Sequence, residues 1–140
     1  GALVSGLDQL LRLQRWTLDE KRRQATDLEL LIERLVQDIN KLDEQVEHEI
    51  AASRSNIELQ RALPGYRQMM KSRRERLDKS MLDLRTELEK LREQITEAFS
   101  ELKKTEQTMK NREQRQRLAE RRKEQAANDE IGLHLHRRKG

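Results

Sequence analysis

The chain contains no cysteine, so disulfides and thiol chemistry are excluded and a reducing compartment is allowed. Proline occurs once, and four of the five glycines lie near the termini. A compact domain of 140 residues normally carries several turn clusters, and this one shows a single strong interior break. Aromatic residues make up 2% and apolar residues 34% of the chain, which is poor material for a globular core. No apolar run approaches the roughly 20 residues of a membrane span, and no signal peptide is visible, so direct membrane insertion is not expected. There is no Gly-rich phosphate loop, no nucleophile-and-base set and no pocket-forming core. The residues therefore give no basis for catalysis, and no cofactor is expected.

What is present is charge and heptad periodicity. Charged residues are 40% of the chain and the net charge is +4. Lys110 to Gly140 holds ten Lys/Arg against five Asp/Glu, so the positive excess sits at one end and points to an acidic partner there. From Met70 to Met109 a stripe runs through Arg74, Leu77, Met81, Leu84, Leu88, Leu91, Ile95, Ala98, Leu102 and Thr105 in alternating steps of four and three. Spacing that averages 3.5 residues keeps one stripe facing a partner helix, which is the seam of a coiled coil.

The first half has its own seam. Leu11, Leu18, Ala25, Ile32, Ile39 and Val46 take position a; Leu7, Leu28, Leu35 and Leu42 take d, with Gln14 and Lys21 as polar interruptions. The stripe fades through Glu49, Ser53 and Asn56. Pro64 biases Leu63 away from helix and suits the first turn of a new one. The fold class expected is all-α: a long antiparallel two-helix coiled-coil hairpin with the turn near Pro64-Gly65. Pairing Leu42 with Leu88, Ile39 with Leu91, Leu35 with Ile95, Ile32 with Ala98 and Leu28 with Leu102 centres the hairpin on Gly65. The first helix is expected over about 7–58, its end falling somewhere between Ala52 and Ala62. The second is expected over about 65–128. Residues 1–6 are expected to be a flexible N-terminus or a cloning scar, and 131–140 a basic flexible tail.

Function is read from side chains that the seam does not need. Leu10, Leu13 and Trp16 fall on the outer side of the first helix and form a candidate docking patch. Arg117, Arg121 and Arg122 belong to a basic helix that begins where the seam is lost. Leu63, Tyr66, Met69, Met70 and Arg73 surround the expected turn as a second candidate site. Phe99, beside the seam, is expected to widen the core. His134 and His136 form a His-x-His, a weak metal motif without a third ligand, and no metal site is expected.

Several stretches resemble flagellar export proteins of the FliJ family. They are the opening Leu10-Leu11-Arg12-Leu13-Gln14-Arg15-Trp16-Thr17-Leu18-Asp19-Glu20-Lys21-Arg22-Arg23-Gln24, then Pro64-Gly65-Tyr66 followed by Arg73-Arg74. The run Glu97-Ala98-Phe99-Ser100-Glu101-Leu102-Lys103-Lys104 and the basic C-terminal helix complete the likeness, which spans roughly Leu7 to Glu130. The resemblance implies a small cytoplasmic component of the flagellar type III export apparatus, held peripherally at the inner membrane. It further implies a coiled coil similar to the rotor stalk of rotary ATPases, with both termini inserted in the hexameric export ATPase. Contacts with the cytoplasmic domain of the export gate membrane protein, and with export chaperones, are implied as well. No catalytic residue carries over.

Two other readings of the residues stay open. One is a plain structural coiled coil, such as a parallel homodimer or the stalk of a related secretion system. The other is a nucleic-acid binder using Lys110 to Arg138, although interleaved Glu residues and the lack of aromatics there argue against nucleic acid.

Overall fold

The computed structural model describes residues 6–139. Two helices account for nearly all of it: α1, Gly6–Ser53, and α2, Ile57–Lys139, packed against each other as an all-α helical hairpin. Thr17–Glu97 forms one compact unit; α1 up to Trp16 and α2 from Ala98 onward form the other.

The turn is Arg54-Ser55-Asn56, not Pro64-Gly65. Local hydrogen bonds explain the choice. The Ser53 hydroxyl donates to the Ile50 carbonyl at 2.7 Å, and the Arg54 N–H donates to the Ala51 carbonyl at 3.3 Å, closing α1. Asn56 is the N-cap of α2: its side-chain oxygen accepts from the N–H groups of Glu58 at 3.0 Å and Leu59 at 3.2 Å. Such a cap contributes about 1 kcal/mol, and Glu58 in the first turn complements the helix dipole. No described residue has positive φ, so this turn needs no glycine.

Pro64 therefore lies inside α2, in its second turn. Proline inside a helix costs roughly 3 kcal/mol, because its ring crowds the carbonyl four residues earlier and it brings no N–H. Here that carbonyl belongs to Gln60, on an exposed stretch where water can reach it. The expected limits change accordingly: α1 ends at Ser53 and α2 starts at Ile57. The segment 131–139 is helical rather than a flexible tail, and His136, Arg137, Arg138 and Lys139 in the last turn suit its negative pole. The expectation for residues 1–6 lies outside the described residues except for Gly6, the first residue of α1.

The seam positions are buried or half-buried as the periodicity requires, but their partners differ. In the Thr17–Glu97 unit, Ala25, Leu88 and Leu91 form a buried cluster with Leu28, Ile32 and Ile95 packed on it. Leu88 and Leu91 thus sit with Ala25, Leu28 and Ile32, not with Leu42 and Ile39. The expected pairing would have set Asp43 beside Glu87. Instead the Arg74 guanidinium donates to the Asp43 carboxylate, Arg92 reaches Glu29 at 3.6 Å, and the Lys21 ammonium donates to Gln94 at 3.0 Å. Apolar stripes stay matched under several shifts along the helix; charges and caps do not. Each exposed ion pair is worth about 0–1 kcal/mol, so the register rests on their sum together with the Asn56 cap.

In the other unit, Leu11, Leu102 and Thr105 are buried. Thr105 is a polar seam residue that donates its hydroxyl to the Glu101 carbonyl at 3.2 Å. The side-chain oxygen of Gln14 is buried without a hydrogen-bond partner, a loose point in this seam.

Candidate interaction surfaces

The outer patch of α1 is exposed. Leu13 and Trp16 leave 59% and 64% of their surface open, and Leu10 is exposed beside them, while Leu11 between them is buried. A helix turns 100° per residue, so steps of three carry Leu10, Leu13 and Trp16 away from the a/d stripe. The nearest cross-helix tie is Arg15 to Glu106 at 4.0 Å.

Arg117, Arg121 and Arg122 lie on the part of α2 where every residue from Lys110 to Lys139 is exposed. Near the start of α1, Leu7 and Asp8 line a groove with Met109, Arg112, Glu113 and Gln116 of α2. Beyond Gln116 the three arginines follow in sequence. The patch lies on the outer face of α1, and the charge lies on the exposed stretch of α2. This bare stretch also exposes Leu118, Ile131, Leu133 and Leu135.

The second expected site changes shape because the turn moved. Leu63, Tyr66, Met69 and Arg73 are in α2, in regular helix rather than around a loop. Met69 is 58% exposed, Arg73 is exposed, and Leu63 and Tyr66 are half-buried. Met70 is a core residue with only 4% of its surface open, and is not available to a partner. Just past the turn, the first residues of α2 expose Ile57 and Leu59 instead. The Asn-Ile-Glu sequence after Ser53-Arg54-Ser55 was the signal for them, an Asn cap followed by an acidic first turn.

Arg74 is the most connected side chain of the Thr17–Glu97 unit. It occupies a seam position, donates across to Asp43, and donates from Nε along its own helix to Asp78 at 3.2 Å. The hydrogen bonds to Asp43 and Asp78 raise its pKa above the usual arginine value. Asp43 and Asp78 would repel each other without it.

Two further features lie beside or off the seam. The seam residues Leu28 and Leu91, with Leu31, line a groove together with Gln24, Asp27, Glu87, Lys90 and Gln94. Phe99 is exposed rather than widening the core, with the Lys103 ammonium 5.2 Å from its ring centroid. His134 and His136 are two apart on a helix, so they point to nearly opposite sides and cannot chelate one ion together. No group of three His, Asp or Glu side chains among the described residues is arranged to hold a metal. No described helix is long and apolar enough to cross a membrane.

Comparison with known proteins gives one family: the model for the flagellar FliJ protein matches residues 7–140. No curated protein and no solved structure matches.

Proposed function

Because the chain belongs to the FliJ family and so is a flagellar export component, we propose that it acts as the stalk of the hexameric export ATPase and links it to the export gate. The protein would work in the cytoplasm, at the inner face of the membrane at the flagellar base. Its family is one of export components rather than enzymes, and hydrolysis would belong to the ATPase.

The observation that carries this reading is the exposed Leu10, Leu13 and Trp16 patch, in the same unit as the bare basic stretch of α2. Apolar side chains with an aromatic anchor supply binding energy once desolvated. Arg117, Arg121 and Arg122 supply contacts of another kind. A stalk inside a six-membered ring meets six similar but unequal surroundings. Charge contacts depend less on close fit than apolar packing does, and they steer association. At the turn end, Leu63, Tyr66, Met69 and Arg73 are the residues for the cytoplasmic domain of the gate, with Ile57 and Leu59 added. Export chaperones would compete for exposed faces of the same helices.

The test is ATPase stimulation. The wild-type chain is expected to stimulate the purified export ATPase, and Trp16→Ala combined with Arg121→Glu is expected to lose most of that effect. Equal stimulation by both would show that the site lies elsewhere.

A further inference from the structure

We propose that the C-terminal end of α2 of one copy docks in the leucine groove of a second copy, so that the free protein associates with itself through two unlike surfaces.

The groove is the half of the contact that the Thr17–Glu97 unit supplies. Leu28, Leu31 and Leu91 line it, and Leu31 leaves 46% of its surface open beside a buried seam. The two flanks of this layer are not alike. On one flank Glu29 and Arg92 pair across the helices at 3.6 Å. On the flank of the groove, Asp27 of α1 and Glu87 of α2 line the opening, and neither carboxylate has a partner among the described residues. Two helices shield a heptad seam only in part, and a third helix seated on an open flank completes the cover. The stretch of α1 that borders the groove is acidic as well: Asp27 to Glu49 holds eight Asp/Glu against two Lys/Arg. The occupant that fits is a helix with a short apolar stripe and cations beside it.

The end of α2 answers that description. Ile131 and Leu135 are one helical turn apart on one face, with 59% and 52% of their surfaces open. Arg138 lies three residues beyond Leu135 and Lys139 four, so both cations fall on or beside the same face. Neither has an ion-pair partner among the described residues. The wider stretch from Lys110 to Gly140 carries ten Lys/Arg against five Asp/Glu. Its charge is thus opposite to that of the groove. Because α2 already forms one wall of the groove, and a helix cannot lie along its own side, the segment that enters belongs to another copy.

Ile131 and Leu135 would cover the exposed leucine, and burial of apolar surface supplies the attraction. Arg138 and Lys139 would meet Asp27 and Glu87, and unlike charge selects which surfaces come together. Each chain carries one groove and one such segment, so the contact joins different patches of identical chains. It uses none of Leu10, Leu13, Trp16, Arg117, Arg121 or Arg122, and is separate from the proposed ATPase contact.

Sedimentation equilibrium on the full-length chain tests this. At low salt the mean mass is expected to rise with concentration above the 16.7 kDa of one chain. It should fall back as salt is raised from about 0.05 to 0.5 M. Asp27→Lys with Glu87→Lys reverses the groove, and Arg138→Glu with Lys139→Glu reverses the segment. Each reversed chain alone should associate about tenfold more weakly than the parent. Mixed, the two should associate as the parent does, because reversed segment then meets reversed groove and native segment meets native groove. Ile131→Ser with Leu135→Ser should weaken association about tenfold while circular dichroism matches that of the parent. Asp27→Asn with Glu87→Gln, which leaves no new charge, should act like the groove reversal with a smaller factor. The proposal is overturned if the parent sediments as a single chain at every concentration, which would leave the segment to a different partner. It is equally overturned if either reversed chain associates like the parent, or if mixing the two does not restore association.

Discussion

Thr17–Glu97 and the bare stretch of α2 from Lys110 onward are both long, charge-rich helix, yet they use their side chains in opposite ways. In the first, Leu18, Ala25, Ile39, Leu42, Met70, Met81, Leu88 and Leu91 are buried, and ties such as Glu29–Arg92 cross between helices. In the second no described residue is buried. The described polar bonds of that stretch are local, such as Gln125 to Asp129 at 3.2 Å. The paired region covers its seam and leaves apolar side chains such as Leu30, Met69 and Leu82 outside it; the bare helix covers none of its own and is held by local bonds. The proposed division of labour follows: the seam sets geometry, and side chains outside it meet other molecules.

That contrast can be broken most directly by truncating one leucine in each region. Leu91→Ala should cost about 2–4 kcal/mol in urea or thermal unfolding, since it empties a buried layer of the seam. Leu118→Ala should stay within about 0.5 kcal/mol, because it removes an already exposed side chain. Comparable losses would mean that the bare helix is covered by something in solution.

A second experiment separates binding from folding. Trp16→Ala should leave the melting temperature unchanged and weaken binding to the export ATPase by about 2 kcal/mol, or roughly thirtyfold, read by titration calorimetry. A drop in stability without a change in affinity would move Trp16 from the contact surface to the fold.

Smaller effects sharpen the picture at the turn. Asn56→Ala should destabilise by about 1 kcal/mol through loss of two capping bonds, measured by chemical denaturation. If it is neutral, the corner does not depend on this cap. The smallest expected effect belongs to Arg92→Ala, at most about 0.5–1 kcal/mol, and it should fade as salt is raised from about 0.05 to 1 M. A salt-independent loss would indicate that the Arg92 stem, not its charge, matters.

The sequence and the structure agree most closely where periodicity speaks. Leu11, Leu18, Ala25, Ile39 and Leu42 in α1, and Met81, Leu88, Leu91 and Leu102 in α2, were legible as core from spacing alone, and all are buried. The exposure of Leu10, Leu13 and Trp16 was legible by the same rule. The corner was not. Pro64-Gly65 is the louder local signal, and it outweighed Asn56 because a cap is a single residue and a proline–glycine pair is two. The register then followed the wrong corner, for the stripes fit either one. Met70 was read both as seam and as contact residue, and burial decides for the seam. Residues 131–139 read as flexible because charge and one glycine mask the helix there.

Composition and heptad spacing, taken alone, determined that this protein is two long helices, which face of each is covered and which side chains are left outside. They could do so because burial depends on direction around the helix axis, and direction repeats with residue number. Which residue meets which, and where the chain reverses, only the tertiary structure decided. Position along the axis is nearly neutral for a repeating apolar stripe, and it is fixed by a few capping bonds and ion pairs that exist only once both helices are in place.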